Sequence, residues 1–287
     1  MPQSPRVTLP LLLLLAPVAA LAQDDLGRDA PSYAIEHGKA ATADASPVDP
    51  GSVEAELGYA PTWNNRGGSA GFDPADDGHQ HSLLGTVTYG VAPDVDVNVG
   101  LVLGSIYDAA HQHDDGSAPK RGTGLGDASI GARWRFANLQ EHALELAFTA
   151  GAVIPTGTQH GPDEIGLSQE YWSARGALVA TKDLGSRSTL NAEIAFGAPM
   201  SGDAGGLRSV LQANAAFGVH VLPWLQPEVE LNYQASFGIR SQVLAATAGV
   251  VAPFGNGHRV VAAVQQGLWG QDATRTTAAL LAFKTAL

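Results

Sequence analysis

The sequence predicts an all-β protein, a single antiparallel up-and-down transmembrane β-barrel of about twelve strands. Three observations carry this. Runs of roughly ten residues alternate apolar and polar side chains, long and short connections alternate between the runs, and tryptophans gather near the run ends.

The elements follow in chain order. Arg6, the apolar stretch Leu9 to Leu15 and the small-x-small site Ala20-Leu21-Ala22 read as a cleaved export signal over residues 1–22. The stretch is short for a spanning helix and is broken by Pro10 and Pro17. Residues 23–51, "QDDLGRDAPSYAIEHGKAATADASPVDPG", show no sustained period and read as a flexible periplasmic segment. From residue 52 to 287 a period of two dominates, and this is the expected barrel.

In "SVEAELGYA", Val53, Ala55, Leu57 and Tyr59 oppose Glu54 and Glu56. "DVDVNVGLVL" sets Val95, Val97, Val99, Leu101 and Leu103 against Asp94, Asp96 and Asn98. "DASIGARWRF" places Ile130, Trp134 and Phe136 opposite Asp127, Arg133 and Arg135. "LELAFTAGAVI" opposes Leu144, Leu146 and Phe148 to Glu145 and Thr149. "LNAEIAFGA" and "EVELNYQA" repeat the scheme, with Glu193, Glu228 and Glu230 on the polar side. Weaker runs at 81–90, 169–182, 207–221, 242–252, 258–267 and 275–287 complete the set. Connections at 64–80, 105–123 and 155–168 are long, whereas those near 91–94, 137–142 and 183–188 are short. An even strand count puts both termini in the periplasm and the long loops outside.

The rival architecture is a soluble sandwich or lipocalin-like barrel. Trp63, Trp134, Trp172, Trp224 and Trp269 lie near strand ends or in turns, which suits two bilayer interfaces better than one dry core. The expected partners are therefore outer-membrane lipid, the outer-membrane assembly machinery and small-molecule solutes. The formal charge of −12 argues against nucleic acid, and the absence of cysteine removes disulfide and thiolate-metal chemistry.

On this topology Glu54, Glu56, Asp96, Arg133, Arg135, Glu145, Glu228 and Glu230 reach the periplasmic end of the lumen, with Arg175 and Glu193 as further inward candidates. Asp96, Arg133, Arg135 and Glu145 are expected to form one cross-strand network that fills the barrel or sets solute preference. Asp127 follows Gly124-x-Gly126, a place for a bend whose exposed amides a carboxylate can accept from.

"GTGLGDASIGARWRF" (122–136), "AVIPTGTQHG" (152–161) and "YGVAPDVDVNVGL" (89–101) together resemble the outer-membrane family named for the meta-pathway of phenol degradation. That resemblance implies a channel or transporter for small aromatic or otherwise poorly polar compounds. One departure concerns the C-terminus: Leu287 stands where outer-membrane strands usually end in an aromatic residue, with Phe283 the nearest candidate substitute.

No G-x-S-x-G or H-E-x-x-H occurs, so no catalytic residue and no cofactor are assigned. His220 shares inward parity with Gln212 and Asn214, without a nucleophile fixed beside it. An embedded lipid-modifying hydrolase and a non-transporting structural barrel are the alternatives. "DDGHQH" (76–81) and "HQHDDG" (111–116) bring His79, His81, His111 and His113 onto neighbouring outer loops beside paired aspartates. Imidazole and carboxylate suit a divalent metal, but polar loop tips more often serve solvation.

Overall fold

The computed structural model describes residues 38–64, 78–108, 120–159, 166–201, 204–254, 257–273 and 276–287. The expected export signal, residues 23–37, and the loop residues His111 and His113 lie outside these. The strands are β1 (Val53–Asn64), β2 (Gly78–Ala92), β3 (Val95–Asp108), β4 (Lys120–Leu125), β5 (Ala128–Leu139), β6 (Leu144–Ile154) and β7 (Trp172–Asp183). They continue as β8 (Ser188–Ser201), β9 (Ser209–Val219), β10 (Gln226–Phe237), β11 (Ser241–Phe254), β12 (His258–Gln271) and β13 (Thr276–Ala286).

Sequential neighbours pair antiparallel, and β13 returns to pair with β1, so the sheet closes and keeps no free edge. Both β4 and β5 pair with β3, β4 through Leu103–Asp108 and β5 through Val95–Gly100. They are two lengths of one strand interrupted at Gly126-Asp127, which makes the barrel twelve-stranded. Every predicted run is recovered. The outer connections are long up to β7 and shorter after it, and the β10–β11 link spans only 238–240, as tight as the turns at the other end.

The alternation sorts the two faces. Val99, Leu178 and Leu281 point outward and are 58%, 54% and 56% exposed, whereas inward Asp96, Asn191 and Glu230 are buried. A protein surface studded with aliphatic side chains is a liability in water and a fit for hydrocarbon. All five tryptophans are exposed on this outer surface: Trp134 lies opposite Val95 at the start of β3, and Trp172 starts β7. Leu178 sits mid-strand, so Leu178→Arg is expected to cost about 2–4 kcal/mol of barrel stability. A urea titration of the refolded protein in lipid reads this as a lowered midpoint.

Candidate functional site

The lumen is occupied by the chain's own N-terminal segment. Residues 40–48, "AATADASPV", carry mostly small side chains that leave their backbone close to the wall. A lone segment inside a barrel has no ladder of its own, so its N–H groups need acceptors on the wall. Inward carboxylates supply them. Ala40 N–H donates to Glu228 Oε1 (3.0 Å), Ala41 N–H to Glu230 Oε1 (2.9 Å) and Val48 N–H to Asp96 Oδ2 (3.0 Å). Hydroxyls add to this: Thr42 donates to Glu230 Oε2 (2.8 Å) and Ser46 to Glu145 Oε2 (2.6 Å). Ala45 N–H donates to Thr181 Oγ1 (2.9 Å), and the Asn191 amide donates to the Ala43 carbonyl (3.2 Å). Ala45 packs against Ala147 and Val179, and Ala40 against Val251, Val261 and Ala282.

The described part of residues 23–51, expected to be a flexible periplasmic segment, is threaded inside the barrel. The physical reason is the set of acceptors above, which lie 48 to 189 positions away in the chain. The segment leaves the lumen where Pro50 bridges Gly90 and turns into β1 at Gly51, whose φ of +80° suits glycine. A Cβ on Gly90 would lie 2.1 Å from the Asp49 carbonyl oxygen, so only glycine admits the segment there.

The expected four-residue charge network appears as two clusters. Arg133 bonds Asp96 (2.6 Å) and Asp44 of the threaded segment (2.7 Å), while Arg135 bonds Glu145 (2.8 Å) and Asp94 (2.9 Å). Arg133 and Arg135 are two residues apart on β5, and each reaches its nearest carboxylates instead of sharing them. Arg175 pairs with Glu193, which also accepts from Asn214 (3.2 Å). Glu54 is held by Lys284 and Arg259 (3.6 Å), and Glu56 lies across from Lys284 in the β1–β13 register. Asp127 stays apart from these clusters. At the β4–β5 interruption it accepts from Gly157 N–H (3.0 Å) and Gln169 N–H (2.8 Å), tying the β6–β7 connection to the barrel.

Sequence reasoning missed Asp44, Arg259 and Lys284. The last two occupy inward positions in the registers of β12 and β13, where strict parity counting would have found them. Asp44 carried no such signal, because its segment has no period. His79 and His81 lie in β2 with rings 5.6 Å apart, and His81 Nδ1 bonds the Tyr59 hydroxyl (2.7 Å) on the exposed surface. Among the described residues no three histidine or acidic side chains converge on one point.

Cavities remain around the threaded segment. One of about 320 Å³ is lined by Lys39, Thr42, Glu56, Arg175 and Lys284. A second of about 280 Å³ faces Asn98, Gly131, Thr149 and Gly151. Behind the same glycines, an outer groove of about 670 Å³ is lined by Val87, Val97, Val99 and Ile130.

A closed twelve-stranded barrel with an apolar exterior and a polar, partly filled lumen defines the transmembrane barrels of bacterial outer membranes. Residues 103–285 match the family described as "Putative MetA-pathway of phenol degradation", and the chain belongs to that family. Among solved structures, an outer membrane channel from Pseudomonas putida F1 superposes with a TM-score of 0.72 at 14% identity, covering 87% of this chain and 100% of that one. The KdgM porin gives 0.51 at 8% identity, and the NanC porin 0.52 at 4%; each comparison covers 80% of this chain and 98% of the other. These neighbours are channels and porins rather than enzymes. No curated protein matches the chain.

Proposed function

We propose that the chain is an outer-membrane channel for small aromatic or otherwise poorly polar molecules, exported through its N-terminal signal and performing no covalent chemistry. The observation that carries this is the manner in which the lumen is filled. The threaded segment is held by side-chain hydrogen bonds and small apolar contacts, without strand pairing along residues 40–48. Such a filling can shift while the sheet stays closed. The apolar outer groove that backs onto the inner cavity through Gly131 and Gly151 supports poorly polar solutes. Family membership and the fold shared with an outer membrane channel point the same way. Lipid contacts the outer belt, and the charge clusters at the periplasmic end tune which solutes pass.

Proteoliposomes with lipopolysaccharide in their outer leaflet test this. Their uptake of a single-ring aromatic is expected to rise several-fold over protein-free vesicles. Equal uptake with and without the folded barrel would remove the proposal.

A further inference from the structure

Beside the threaded segment, the inner face of β7 to β12 carries two rows of hydrogen-bonded polar side chains. In the first row Arg175 Nε donates to Gln212 Oε1 (3.2 Å), Gln212 Nε2 to Gln234 Oε1 (3.0 Å) and Gln234 Nε2 to Ser236 Oγ (3.5 Å). In the second, Gln265 Nε2 donates to Thr247 Oγ1 (3.1 Å) and Thr247 Oγ1 to Asn232 Oδ1 (2.9 Å). Asn232 Nδ2 then donates to Asn214 Oδ1 (3.3 Å), and Asn214 Nδ2 to Glu193 Oε2 (3.2 Å).

The rows run in opposite senses, and the Arg175–Glu193 ion pair joins their heads. A guanidinium only donates and an ionised carboxylate only accepts, so the pair dictates the direction of every amide along both rows. Aligned chains of this kind polarise one another and strengthen.

The first row also keeps capacity for a ligand. Arg175 is 44% exposed, and Arg175 Nη1 and the second Nε2 proton of Gln212 meet no protein acceptor among the described residues. A cavity of about 340 Å³ opens on this wall, with Ala41 of the threaded segment in its lining. That volume is at the small end of ligand sites, enough for one substituted ring.

The same cavity turns apolar beside the polar row, where Val243 and Ala245 of β11 pair with Gln234 and Asn232 of β10.

We propose that this chamber binds amphipathic single-ring solutes, the ring against Val243 and Ala245 and an oxygen head group, hydroxyl or carboxylate, on Arg175 and Gln212. The inference rests on the channel reading and narrows its substrate class. An unsubstituted hydrocarbon leaves the polar row without a partner, whereas an oxygen acceptor occupies its spare donors.

Full-length protein in lipid nanodiscs, with glutamine side chains labelled with nitrogen-15, is titrated with para-ethylphenol, para-ethylbenzoate and ethylbenzene. The side-chain amide signals of Gln212, assigned by loss in Gln212→Leu, are expected to move with both oxygenated probes. Half-saturation should come at about ten-fold lower concentration than for ethylbenzene. Gln212→Leu combined with Gln234→Leu, checked for a folded barrel by heat-modifiable migration, should erase that preference as read by saturation-transfer signals of the probes. Ethylbenzene moving Gln212 at equal concentration, or no probe moving it, overturns the inference. Uptake is scored separately in the vesicles above, so a barrel that binds without carrying fails only the channel proposal. A barrel that carries all three probes alike, with Gln212 unmoved, fails only this one.

Discussion

Deleting residues 40–48 is expected to raise the single-channel conductance of the refolded barrel on the order of ten-fold, as the vacated lumen fills with water. The cost to folding is smaller than the number of lost hydrogen bonds suggests. Glu228, Glu230 and Asp96 lose backbone donors, but the same deletion admits water to them, and a hydrated carboxylate is not an orphan. Planar-bilayer recording checks the conductance, and heat-modifiable migration in gels checks that the barrel is closed. An unchanged conductance in a folded deletion variant would show that the segment is not the obstruction.

Arg133→Met is expected to have the opposite profile, with a small change in conductance and a large loss of stability. Asp96 is 1% exposed on its side chain, and among the described residues its ion-pair partner is Arg133 at 2.6 Å. The threaded segment stays in place in this variant and keeps water out, so the carboxylate is left buried and unpaired. Breaking a buried pair from one side costs about 3–5 kcal/mol. The urea midpoint in lipid should fall accordingly, and Asp96→Leu added to Arg133→Met should restore much of it. Asp44→Ala should cost far less, because Asp44 and Arg133 are both partly exposed at their contact and Asp96 keeps its partner. A double variant no more stable than the single one would show that the pair is not what holds this region.

The contrast between these variants reflects what was legible in the chain. Sheet architecture was, because closure into a barrel forces each strand to keep one face apolar, and that constraint repeats at every second residue from Val53 onward. The inward charges Asp96, Arg133, Arg135 and Glu145 followed from the same parity. Their partners did not, since pairing depends on lateral reach: Arg135 turned to Asp94 and Glu145, and Arg133 to a residue before the first strand. The threaded segment was invisible for a related reason. Ala40, Ala41 and Ala43 carry no hydrophobic pattern, and what fixes them is backbone N–H, which every residue but proline possesses. Only the excess of carboxylates on the inner wall, Glu193, Glu228 and Glu230 among them, hinted that something with donors had to sit opposite.

The route of the segment also constrains biogenesis. It comes before β1 in the chain, yet it touches side chains from β3, β6, β7, β8 and β10, and the β1–β13 seam joins the first strand to the last. Those contacts cannot all exist until the later strands have been made and curled round. Residues 40–48 must therefore wait, unpaired, for a cylinder to be wrapped about them, or slip in once the seam has zipped.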